Sequence, residues 1–141
     1  MTDKTKIKAI KTVCWIGVFA DGLWAVALVS PPLYGMLTGR SDLSPDLNFR
    51  LAMGIGASLM FGWTVLLAWC ARNPLERRAV MLFTAFPVIF GLSIVTLIGF
   101  GSGTTANLWI LGKLVFICAG MIAAYGLANR MTKENAHEIE H

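Results

Sequence analysis

Charged residues in this chain are gathered into short clusters, and the stretches between them are apolar almost without interruption. Four such runs stand out, at 12–37, 51–71, 79–101 and 108–128. Each meets or exceeds the roughly 20 residues a helix needs to cross a hydrocarbon core about 30 Å thick. The pattern predicts an all-α polytopic membrane protein, an up-down bundle of four transmembrane helices forming one domain. The expected helices cover 8–37, 45–71, 74–101 and 106–129, followed by a polar tail over 130–141.

Turn chemistry sets the boundaries. Ser44-Pro45 reads as an N-cap with proline at the first helical position, opening the second helix. Asn73-Pro74 does the same for the third, with Glu76 in capping-box position. Residues 101–105, Gly-Ser-Gly-Thr-Thr, read as a tight turn between the third and fourth helices. Pro31-Pro32 is expected to break or bend the first helix, leaving 33–40 as an irregular or interfacial extension. Short connections make successive helices antiparallel neighbours.

Composition agrees with lipid as the solvent. Of 141 residues 56% are apolar and 14% charged, whereas a soluble domain carries roughly 25% charged residues. Ala25-Val26-Ala27 resembles a signal-peptide cleavage site, but the length of the first run and the acid within it favour a retained anchor. Lys4, Lys6, Lys8 and Lys11, then Arg72, Arg77 and Arg78, then Arg130 and Lys133 alternate with weakly charged connections. The positive-inside rule therefore places both termini and the second connection in the cytoplasm, in a cytoplasmic (inner) membrane. The net charge of +4 is thus a topology signal. It is not a nucleic-acid footprint, and at most it draws the lysine-rich N-terminus to anionic lipid.

Small residues indicate which helix faces meet, because lipid supplies no hydrophobic drive for helix association. Gly54, Ser58 and Gly62 form a four-residue stripe on the second helix, expected to pack against a neighbour. Gly17, Asp21 and Ala25 share a face of the first helix, and Gly120 and Ala124 form a shorter stripe on the fourth.

Asp21 is the one charge in 12–37. A carboxylate at that depth costs about 2.5–3.5 kcal/mol on insertion scales, so it calls for a partner or a function. Lys113 is the other ionisable residue within a run. Counting 1.5 Å per residue from the basic anchors, it lies about 10 Å from Asp21 in depth. Lys113 is therefore expected to act as an outer-leaflet anchor, or to meet Asp42 or Asp46. Asp21 is left as a lone acid, expected to keep its proton. At matched depth stand Trp63 and Thr64 on the second helix and Pro87 on the third. Pro87 removes a backbone donor and frees the carbonyl of Phe83. Asp21, Trp24, Trp63, Thr64, Phe83 and Pro87 are the candidate ligand or proton pocket. The plainer alternative is that these groups only satisfy one another and fix helix register. Trp24 and Trp63 are core filler or walls of an apolar site, while Trp15, Trp69 and Trp109 read as interfacial anchors.

Other chemistries find little support. Cys14, Cys70 and Cys118 form no CxxC and are not expected to pair. His137 and His141 lie in the tail, so no metal site, haem or other cofactor is expected within the bundle. Gly54-Ile55-Gly56 lies within a span and is packing, not a phosphate loop. No catalytic constellation is visible. The layout resembles that of small multidrug transporters in architecture alone, four short helices with an acid in the first. Asp21 stands where that family typically has glutamate, and the firm charge bias here disfavours an antiparallel dimer. The expected activity is binding or transport of a small or lipophilic solute through the pocket around Asp21. The alternative is a structural or accessory role, in which the stripes dock onto a membrane-protein partner or a second copy and Asp21 only fixes packing.

Overall fold

The computed structural model describes residues 3–39, 46–100 and 107–139, with the side chains of 99, 100, 107, 109 and 135–139 left aside. Ser44-Pro45, Asp42, the 101–105 turn and the Trp109, His137 and His141 side chains lie outside the described residues. Among those described there is no strand, and the chain is an all-α bundle of four long helices.

Helix α1 (Asp3–Val29) starts earlier than expected and stops at Ser30. There Pro31 opens a new helix, α2 (Pro31–Thr38), where its missing N–H is not needed. Gly39, at φ 72°, closes α2 by donating its N–H to the Gly35 carbonyl. The first part of the extension at 33–40 is thus helical, because one proline falls at a helix start and one glycine at a helix end. The N-cap of α3 (Leu47–Arg72) is Asp46 and not Ser44, its carboxylate accepting the Phe49 N–H at 2.8 Å.

The third span is the least regular. The Asn73 side-chain amide donates to the Glu76 carboxylate at 2.7 Å, so these two groups bind each other instead of capping backbone. Residues 74–78 stay a turn, and α4 (Ala79–Phe83) begins at Ala79. Wide π-helical turns follow at Thr84–Ile89 around Pro87, and α5 (Phe90–Phe100) completes the span. Helix α6 (Asn107–Ile139) runs on through the expected tail. It is held there by Lys6 on Glu134 at 3.5 Å and by Arg78 Nη1 on the Thr132 hydroxyl at 3.4 Å.

The main helix pair is α1 with α3; α6 lies against α1 and the whole third span, while α4 reaches α3 and α5 packs on α6. The buried core sits toward the end that carries both termini and the arginine-rich turn, here called the basic end. It contains Ile10, Cys14, Leu67, Cys70, Met81, Met121 and Ala128. Toward the opposite end full burial is confined to the α1/α3 side. Ala25, Ala27, Met53 and Ala57 are buried between α1 and α3. No described residue of α5, or of α6 before Met121, is buried. Small side chains let α1 and α3 approach closely, whereas α5 presents Leu92, Ile94, Val95, Leu97 and Ile98 outward.

Phe19, Leu59, Ile98 and Phe116 are 70–74% exposed. Water would penalise such a surface, and a hydrocarbon solvent does not. With four helices long and apolar enough to span, the chain is a multi-pass membrane protein in a lipid-bilayer environment.

Candidate functional site

Helix α1 presents two stripes to its neighbours. Val13 meets Gly120 of α6: a Cβ on Gly120 would lie 3.6 Å from the Val13 side chain. Trp24 continues that stripe, with the Lys113 ammonium of α6 at 5.8 Å from its ring centroid. On the other stripe, a Cβ on Gly22 would lie 3.6 Å from the Thr64 methyl of α3. Gly17 falls between the stripes, and its Cβ would stand 2.6 Å from the Met121 methyl carbon and 3.1 Å from Leu67.

Asp21 follows Gly17 by four residues and also falls between the stripes. Its side chain is therefore directed toward the bundle interior, just past the core that closes over Gly17, and it is half-buried. Among the described residues its carboxyl has no hydrogen-bond or ion-pair partner. Asp21 thus sits just past the fully buried core.

The expected pocket is only partly assembled. Thr64 lies against Gly22, the residue after Asp21, but its hydroxyl donates to the Met60 carbonyl at 2.8 Å. Trp63 turns its indole N–H to the Thr84 hydroxyl of the third span at 3.0 Å. Thr84, buried at 3% exposure, donates in turn to the Val80 carbonyl at 2.7 Å. Phe83 and Pro87 are exposed on the lipid side and do not line the interior beside Asp21. The backbone freed by Pro87 is met within the span, because wider turns carry the hydrogen-bond ladder past the proline. Phe90 N–H reaches the Ala85 carbonyl in this way, and the Cys118 thiol of α6 approaches the same oxygen at 3.8 Å.

Trp24 stands one turn beyond Asp21, edge-on to Tyr34 of α2 at 6.3 Å between ring centroids. Lys113 forms no ion pair with Asp21 and lies over Trp24. Asp46, a partner considered for Lys113, caps α3. The small-residue stripes separate in the same way. Gly17 and Gly120 pack between α1 and α6, whereas a Cβ on Gly54 or Gly62 would meet nothing within 4 Å. Gly54, Ser58 and Gly62 therefore face out of the bundle, because α3 reaches α1 through Met53, Ala57 and Gly56 instead.

Sequence reasoning missed Thr84 and Met121. Thr84 had a signal, a hydroxyl on the residue after Phe83 at a depth near Trp63. Met121 had none, being one of seven methionines with nothing in its spacing to mark it. Comparison with protein-family models, curated proteins and solved structures finds no match to the chain.

Proposed function

We propose that this is a non-enzymatic protein of the cytoplasmic membrane, its basic end in the cytoplasm, that binds or transports a small or lipophilic solute through Asp21. The observation that carries the reading is the Asp21 carboxyl, half-buried in the first span and without a partner among the described residues. Protein groups that only fix helix register satisfy each other, as Trp63 and Thr84 do. A carboxyl left without such a partner at membrane depth is a group held for something else. The fitting solute is a lipophilic cation, or a compound offering a hydrogen-bond donor. Trp24, one turn beyond the acid on the same helix, supplies an apolar surface for such a solute. Thermal unfolding of the purified protein across a panel of lipophilic amines tests this, with stabilisation expected for wild type and lost in Asp21→Asn.

A second reading, an accessory subunit, draws on the outward-facing Gly54, Ser58 and Gly62, which are spaced for a close helix contact that the chain itself does not make. Co-purification of a stoichiometric membrane partner, lost in Gly62→Leu, would favour it.

A further inference from the structure

Cys14 and Cys70 come together in the core at the basic end. In the antiparallel α1/α3 pair a Cβ on Gly17 would lie 3.1 Å from Leu67, and a Cβ on Gly56 would lie 3.4 Å from Leu28. Three residues before Gly17 and three after Leu67, on the same helix faces, stand Cys14 and Cys70. That register sets the two side chains opposite each other, and both are fully buried in one cluster. Two thioethers share the cluster, Met81 of α4 and Met121 of α6, and they too are fully buried. The Met121 methyl reaches the α1/α3 seam at Gly17, one turn from Cys14. Cys70 gives its thiol hydrogen to the Arg77 carbonyl at 3.3 Å, and Met81 follows Arg77 by four residues.

We propose that Cys14 and Cys70 form a binding site for one soft monovalent metal ion, copper(I), held between their two thiolates. One buried cysteine is an ordinary core residue. What sets this core apart is that α1, α3, α4 and α6 each contribute a sulfur to it. Thiolate and thioether sulfurs select copper(I) over harder ions. Zinc in a structural site takes four ligands in a tetrahedron, and among the described residues no three His, Cys, Asp or Glu side chains gather. Copper(I) needs fewer, since it accepts two thiolates in a linear arrangement. Met81 and Met121, unbranched and flexible, give it polarizable walls. On binding, both thiols release their protons to water and the ion takes their place, so the complex carries one negative charge. Lys11, three residues from Cys14, and Arg72, two from Cys70, offset that charge at the basic end. Entry is from the same end, because Arg77 belongs to the 74–78 turn and no helix closes the site there. Sequence spacing gives no sign of this site, because its two thiols come from different helices. It is independent of the solute reading for Asp21.

The test is anaerobic titration of copper(I) into the reduced, purified full chain in competition with a chromogenic copper(I) chelator. Wild type should withdraw one copper(I) per chain. Cys14→Ala and Cys70→Ala should each weaken binding at least tenfold. Cys118→Ala, which removes the thiol outside the buried pair, should match wild type. X-ray absorption at the copper edge needs no variant and should show sulfur as the only type of ligand atom in wild type. A wild type that withdraws no copper(I) would overturn the proposal, as would nitrogen or oxygen ligation. So would equal binding by wild type, Cys14→Ala and Cys70→Ala, or a loss confined to Cys118→Ala.

Discussion

The Trp63 indole N–H of α3 donates to the Thr84 hydroxyl of the third span at 3.0 Å, and that bond bridges the two helices. Because α5 packs on α6 and not substantially on α3, this bond and α4 carry the attachment of the third span to the second. Thr84→Val keeps the shape and removes the acceptor. The expected cost is about 0.6–1.7 kcal/mol, the range of interhelical hydrogen bonds in membranes. Reversible unfolding in mixed micelles measures it, with Trp63→Phe as the second corner of a double-mutant cycle. A coupling energy near zero would mean the bond does not hold the spans together.

Gly17 and Gly62 make opposite predictions from one residue type. Gly17→Leu forces a branched side chain against Met121 and Leu67 and should destabilise the chain by about 1–3 kcal/mol. Gly17→Ala should be milder, because the Met121 methyl is the end of a flexible side chain. Gly62→Ala meets nothing within 4 Å and should leave the isolated protein unchanged. Unfolding curves that rank the two sites the other way would contradict the packing.

Cys14 of α1 and Cys70 of α3 are both fully buried in one core cluster, with the Cys70 thiol donating to the Arg77 carbonyl at 3.3 Å, while the Cys118 thiol of α6 approaches the Ala85 carbonyl. Oxidation with a membrane-permeant reagent such as iodine should join the first two. Alkylation after denaturation would then label Cys118 alone. Mass spectrometry that finds Cys118 in the disulfide, or all three thiols free, would place the α1/α3 contact elsewhere.

The clustered lysines and arginines predict a cytoplasmic basic end. A green fluorescent protein fused after His141 should fluoresce, and alkaline phosphatase at the same point should be inactive. The reverse pair of results would invert the orientation.

Much of this architecture is legible from where the charges are missing. Span existence depends on a hydrocarbon thickness that any helix must match, so runs such as 51–71 declare themselves. Boundaries are harder, because several residues near each end can cap. Asp46 takes the role that Ser44 also fits, and Asn73 and Glu76 bind each other instead of the backbone. Faces are harder still. Spacing shows that Gly17 and Gly54 each lie on a small-residue stripe, but only the helix arrangement decides that Gly17 meets Met121 and Gly54 meets no side chain. Gly22, beside Asp21 in the chain, lies against Thr64, while the hydrogen bonds of Trp63 and Thr64 go to Thr84 and to the Met60 carbonyl. A half-buried tryptophan N–H needs an acceptor, and the buried Thr84 hydroxyl supplies one that depth counting from Pro87 passed over.

Asp21 remains the centre of the account, and equilibrium binding of radiolabelled tetraphenylphosphonium to the purified chain tests it most directly. The account predicts one saturable site per chain in wild type. Asp21→Asn, which can still form hydrogen bonds but cannot ionise, should weaken binding at least tenfold, about 1.4 kcal/mol, while the unfolding midpoint stays near that of wild type. Saturable binding of equal affinity in both proteins, or none in either, would contradict the assignment of Asp21 as the recognition group.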